Sequence, residues 1–258
     1  DELAGNLWAI HGGGFYYLEK YKVAPKQIPK ALHWFKYEAY FTWLTGFTLL
    51  FVVYYFNAAA QLVDKNVLDI TSFQGICIGL ISLIIGWLLY ELLCKSPLMK
   101  NQNAFIIVGL AIVLGFAFFY TRVFAARAAY MHFGAMLGTL MAANVFFVII
   151  PAQKAMVHAA KNGIPLDPRL GKNALQRSIH NNYFTMPVLF VMISNHFPST
   201  FGFKQPWLIL LLISLGVAAI KHWLNLREKG QLSVWVLPAA LLILLSAAYI
   251  SAPPKPGS

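Results

Sequence analysis

Two groups of histidines in this chain have neighbours that could do chemistry. Along Leu32–Tyr40, His33, Lys36 and Tyr40 follow i, i+3, i+7 spacing, which places an imidazole, an ammonium and a phenol on one helical face, while Glu38 points elsewhere. A second run, His180-Asn181-Asn182-Tyr183 with Thr185 ahead of Pro187, adds another imidazole and two adjacent amides. A cation, amides and aromatic rings together suit a planar polar anion, with His33, His180 or Glu38 as general base. The plainer alternative is a snorkelling lysine with interfacial aromatics. The other group is His132 and His196. Two imidazoles from facing helices would hold a b-type haem axially, with Arg122 and Arg127 neutralising its propionates. Gly134-x-x-x-Gly138-x-x-x-Ala142 strips one helix face, for a flat macrocycle or for a neighbouring helix. Alternatively, His196 beside Pro198 caps its helix and the glycines serve packing alone.

The elements that must position these residues are hydrophobic spans. Of 258 residues, 59% are hydrophobic and 11% charged, against about a quarter charged in soluble domains. A hydrocarbon core about 30 Å thick needs roughly 20 apolar residues to cross as a helix. Seven spans are expected, near 32–57, 72–94, 103–121, 127–152, 174–196, 206–225 and 232–250, with the longest loop from Lys154 to Lys172. The fold class is therefore all-α, a polytopic transmembrane helix bundle. Residues 1–30 read as an interfacial segment, 31–251 as the membrane domain and 252–258 as a linker or cut tail. Fifteen of the twenty Lys and Arg fall on the side of the N-terminal segment, which puts that segment in the cytoplasm and the C-terminus outside. Topology then sorts the histidines by depth. His132 and His196 belong to an outer layer. His33, His180 and His222 belong to an inner one, onto which His11 would fold back.

Several functions are excluded or weakened. The net charge of +11 reflects short loops between spans, not a nucleic-acid face. Cys77 and Cys94 lie 17 positions apart in one expected helix, about 25 Å, and cannot pair within it. There is no Cys-x-x-Cys-His for covalent haem. His11-Gly12-Gly13-Gly14 matches an esterase oxyanion motif, but the chain lacks a Gly-x-Ser-x-Gly elbow. No Walker, dinucleotide or zincin motif occurs.

Several long strings carry a family likeness. They are Leu7-Trp8-Ala9-Ile10-His11-Gly12-Gly13-Gly14-Phe15-Tyr16, Leu32-His33-Trp34-Phe35-Lys36-Tyr37-Glu38-Ala39-Tyr40 and Met141-Ala142-Ala143-Asn144-Val145-Phe146. With them go Asn181-Asn182-Tyr183-Phe184-Thr185-Met186-Pro187 and Ser194-Asn195-His196-Phe197-Pro198. Together they resemble the membrane domain of the bacterial membrane-bound, cytochrome c-linked urate oxidase. The resemblance implies conversion of urate to 5-hydroxyisourate in the inner membrane, with electrons passed to a periplasmic cytochrome c. It also implies a further N-terminal helix and a C-terminal cytochrome c domain beyond the ends of this chain. On this view Lys36 meets the urate anion, Tyr40 and His11 flank it, and Asn181 and Asn182 read the purine edge. Electrons would reach the carrier through a haem between His132 and His196. Two rival readings remain at this level: a proton-coupled transporter, and a haem-carrying electron-transfer subunit that never meets urate.

Overall fold

The computed structural model describes residues 3–21, 25, 27–231 and 233–252. Lys22, Lys26 and Lys255 of the loop-charge count, and all but Ala252 of the expected tail, lie outside the described residues.

The N-terminal segment is a hairpin. Strand β1 (Leu3–His11) pairs antiparallel with β2 (Gly14–Tyr21), with His11 opposite Gly14. Gly12 and Gly13 turn the chain at φ of +57° and +79°, the left-handed geometry that a two-residue hairpin turn requires and glycine supplies without strain. The His-Gly-Gly-Gly string is thus a turn. His11 stands exposed at the ribbon tip and does not fold back onto the inner layer's cavity.

Among the described residues, every regular element after it is a helix. Helix α1 (Tyr37–Leu50) runs into a π-helical stretch, Phe51–Tyr55, and the short α2 (Ala58–Gln61). Next come α3 (Ser72–Lys95) and α4 (Gln102–Val123). The chain then forms α5 (Ala126–Ala143), a second π-helical stretch Asn144–Ile149, and α6 (Ile150–Lys161), continuous as one rod. Finally come α7 (Pro168–Ile193), the short α8 (Pro198–Phe201), α9 (Pro206–Glu228) and α10 (Val236–Ile250). A rod stands at each of the seven expected positions. Four of them, Ser72–Lys95, Gln102–Val123, Ala126–Lys161 and Pro206–Glu228, are long and apolar enough to cross a membrane, and α10 is a shorter apolar helix.

Local chemistry sets the ends. Thr71 and Gln74 form a reciprocal capping box at α3. Asn101 caps α4, and Asp167 caps α7 with Pro168 in the first turn, where a missing N–H costs nothing. Two expectations change here. Residues 154–161 are helix, not loop, and α7 starts at Pro168, several residues before the expected 174. Pro187 lies inside α7 without ending it.

Helix α5 is the axis of the bundle and packs against α1, α3, α4 and α7. Its Tyr130, His132, Phe133, Met136 and Leu137 are essentially without solvent contact. The stripped glycine face serves helix packing, because a Cβ on Gly134 would stand 2.6 Å from Val191 Cγ1 of α7. Gly138, one turn on, has nothing within 4 Å of such a Cβ. Gly134→Ala is therefore expected to cost about 1–3 kcal/mol by overpacking. Gly138→Ala should be neutral or slightly stabilising. Thermal unfolding in detergent would read this as a lower Tm for the first variant alone.

Candidate functional site

A cavity of about 560 Å³ opens at the end of the bundle where α1 begins. One wall is formed by Pro25, Ile28, Pro29 and the run from Leu32 to Phe35. The other is the second π-helical stretch, α6 and the first turns of α7. Its polar groups are His33, Trp34, Gln153, Ser178 and Asn181, set among apolar side chains such as Phe35, Val145 and Met156. Its size and its few convergent polar groups fit a small-molecule pocket.

Behind the cavity lies a buried polar network. Asn144, 1% exposed, donates through Nδ2 to Asn181 Oδ1 at 2.8 Å and to the Tyr90 hydroxyl at 2.9 Å. Tyr90 is 2.8 Å from His180 Nδ1. With its own oxygen accepting from Asn144, its hydroxyl proton points to that nitrogen. The Asn144 carbonyl oxygen accepts from Arg177 at 3.2 Å. Arg177 also donates to Glu91 Oε2 at 2.7 Å and lies over the Tyr90 ring at 4.9 Å. Lys95 completes the group at 3.0 Å from Glu91. Asn181 Nδ2 donates to the Met141 carbonyl at 3.0 Å, which leaves its second N–H for a ligand.

The second π-helical stretch has a local cause. Pro151 has no N–H to donate one turn back, and its ring crowds that carbonyl. Just before it the chain widens into the π-helix Asn144–Ile149. Such insertions are frequent at functional sites. This one carries Asn144 at its first position and Val145 and Ile149 on the cavity wall.

The expected inner layer is sorted by this geometry. His33 and Asn181 reach the cavity, while His180 stands behind it, stacked on Phe105 with centroids 5.1 Å apart. Asn182 faces the other way and accepts from Asn225 of α9 at 2.9 Å, beside a Tyr183–His222 contact of 2.6 Å. Lys36 does not line the cavity; its ammonium lies 4.7 Å over the ring of its neighbour Tyr37. Tyr40 packs edge-on to Phe146. Glu38 is exposed, 3.5 Å from His33 Nε2, so it is not the buried carboxylate of this layer. The carboxylate that faces the interior there is Glu91, partly buried, and the buried cation it pairs with is Arg177.

The outer layer does not fit a haem. His132 is wholly buried, with Nδ1 2.8 Å from the Ala128 carbonyl and Nε2 3.0 Å from the Tyr55 hydroxyl. Nδ1 donates and Nε2 accepts, so neither nitrogen is open to iron. The Gly79 backbone of α3 closes the space, because a Cβ there would stand 2.8 Å from Nε2. His196 sits exposed in the 3-10 turn Ser194–His196. Arg122, over the Phe118 ring, and Arg127 are exposed too. The expected pairing of His132 and His196 around a macrocycle gives way to a packed Tyr–His pair. Among the described residues, no three His, Cys, Asp or Glu side chains gather as a metal site.

Sequence reasoning passed over Gln153, Tyr90, Glu91 and Arg177. A carboxylate inside the run Leu88-Leu89-Tyr90-Glu91-Leu92-Leu93 was a usable signal, since ionisable groups at membrane depth are functional candidates by default.

The Arg177–Glu91 pair yields a test. Glu91→Leu leaves Arg177 uncompensated and should cost about 3–5 kcal/mol of stability. Lys95→Met, which removes only the exposed partner, should cost about 1 kcal/mol or less. Denaturant or thermal unfolding of the two variants side by side would check the contrast.

The family model described as Urate oxidase N-terminal matches residues 1–252. No curated protein and no solved structure matches the chain.

Proposed function

Because the chain belongs to the urate oxidase N-terminal family, we propose that it binds urate in the cavity between the Leu32–Phe35 run and α6–α7 and oxidises it to 5-hydroxyisourate. Family membership gives the coarse activity, an oxidoreductase acting on urate. The observation that carries the site is that His33, Trp34, Gln153, Ser178 and Asn181, from three separate parts of the chain, converge on one cavity. A flat purine needs aromatic walls and an edge of amides, and Trp34 with Phe35 and Gln153 with Asn181 supply them.

The overall reaction is urate plus water giving 5-hydroxyisourate, two protons and two electrons. His33, the imidazole on the cavity wall, takes a proton from the substrate or from the attacking water. Glu38 beside it holds the ring. Asn181 donates its remaining N–H to a urate oxygen. Its own carbonyl is held by Asn144, which is held in turn by Arg177, so the guanidinium supports an anion one hydrogen bond removed. The electrons leave to a one-electron carrier of the cytochrome c class on the other side of the membrane. The excess of Lys and Arg at the cavity end supports placing that end in the cytoplasm and the far end in the periplasm. A transporter reading expects helices broken near the midplane, whereas α7 runs unbroken through Pro187.

The direct test is the full-length protein in lipid discs with urate and ferricytochrome c under argon. Loss of urate matched by two equivalents of cytochrome reduced per urate is the expected result. Urate left intact with the acceptor present would overturn the proposal. Within an active protein, Asn181→Leu and Gln153→Leu should each lower kcat/KM for urate about 10- to 100-fold, the size of one lost buried hydrogen bond. Lys36→Met should change it far less.

A further inference from the structure

Two polar groups of the cavity have their hydrogen-bonding sense fixed, and they are neighbours on α7. The first is Asn181. A side-chain amide has a donor end and an acceptor end of nearly the same shape, so its orientation follows from its partners. For Asn181 those partners form a chain that starts and stops on one-way groups. Arg177, which can only donate, gives a hydrogen to the Asn144 carbonyl oxygen at 3.2 Å. That leaves the Asn144 amino group for the other side, where it donates to Asn181 Oδ1 at 2.8 Å and to the Tyr90 hydroxyl at 2.9 Å. Asn181 Nδ2 in turn donates to the Met141 carbonyl at 3.0 Å, which can only accept. Turned over, Asn144 would aim its amino group at a guanidinium, and Asn181 would aim its oxygen at the Met141 carbonyl. Both ends impose one sense on the chain, so what Asn181 has left for the cavity is a donor.

The second group is Ser178, three residues before Asn181 on the same helix and on the same cavity wall. A serine hydroxyl can serve in either sense. Here its hydrogen is given to the Ala174 carbonyl at 2.9 Å, so its oxygen offers the cavity lone pairs. Neighbours at this spacing stand about 5–6 Å apart on a helix, close enough to meet adjacent atoms of one ring. The wall of α7 is thus a donor beside an acceptor, in a fixed order.

We propose that Asn181 and Ser178 read a lactam edge, a ring carbonyl beside a ring N–H, and that Arg177 acting through Asn144 sets the sense in which they read it. This rests on the urate reading above and adds which part of the molecule faces α7. The lactam oxygen accepts the free hydrogen of Asn181, and the ring N–H donates to Ser178 Oγ. Urate carries such edges on both of its rings. A ring nitrogen bearing a methyl group has no hydrogen to give Ser178 and puts a carbon against its lone pairs. Ser178 is therefore a specificity residue, whereas Arg177 and Asn144 are positioning residues that touch no substrate.

The test measures binding of urate and of its N1-, N3-, N7- and N9-methyl derivatives to the full-length protein in lipid discs, under argon and without an electron acceptor. Wild type should bind urate about tenfold or more tighter than the derivative methylated at the nitrogen that faces Ser178. In Ser178→Ala the affinity for urate should fall about 3- to 10-fold, while the affinity for that one derivative rises, because alanine needs no hydrogen and leaves room for the methyl group. Such an exchange of preference is not produced by a general loosening of the cavity. Asn144→Asp tests the polarity. A carboxylate of the same size can only accept, so Asn181 turns its amino group towards it and its carbonyl oxygen towards the cavity. Urate affinity should then fall about 10- to 100-fold. Ser178 bonds only to its own helix, so its variant decides the proposal even where Asn144→Asp does not fold. A Ser178→Ala protein that loses urate and all four derivatives equally, or loses none, would overturn the lactam assignment. Wild type that binds urate and every derivative alike would overturn it as well, with urate still the ligand. A protein that binds no urate loses the cavity reading, and the lactam assignment with it.

Discussion

The site depends on one amide. A buried guanidinium is costly unless its donors have partners, and Arg177 satisfies its fork between the Glu91 carboxylate and the Asn144 carbonyl oxygen. That bond orients Asn144, whose two N–H groups then reach Tyr90 and Asn181. Asn181 is thereby the inner side of the cavity wall and the outer edge of a charge network. Replacing any member leaves a buried polar group unmatched, so the network holds α3, α5 and α7 at one separation. The geometry of the cavity is a by-product of neutralising that charge.

Both irregular turns of the bundle serve polar contacts between helices. A regular helix presents each side chain at a fixed angle; an extra residue in one turn re-aims those that follow. At Asn144–Ile149 the result is an amide turned into the core and an apolar cavity wall below it. At Phe51–Tyr55 the result is a tyrosine turned onto α5. The first follows from Pro151. Nothing in the sequence around Phe51 signals the second.

The bundle was largely legible in the sequence because hydrophobic runs of 20 or more residues admit few other structures. Boundaries at α6 and α7 were missed because loop residues were recognised by charge, and a helix that leaves hydrocarbon can carry Lys154, Lys161 and Lys172 and stay helical. His33 and Asn181 were found by chemistry and depth. Lys36 and Glu38 were placed by one-dimensional spacing, which cannot tell a face turned to the bundle from one turned away. His132 was singled out as a haem ligand facing His196, but its partner is Tyr55, 77 positions away, and a contact at that separation leaves no periodic trace. Asn181 and Asn182 carry the same side chain one position apart, and only packing assigns one to the cavity and the other to α9.

The 36-residue rod from Ala126 to Lys161 has a bearing on how the proposed substrate, a charged purine, would reach the cavity. Counted from Ala126, roughly 20 residues exhaust the hydrocarbon thickness. The cavity wall begins at Val145 and continues to Ala160. On the placement proposed above, the pocket sits where lipid tails give way to headgroups and water. On that placement an anionic substrate would keep most of its hydration until the amides replaced it, and would never have to dissolve in oil.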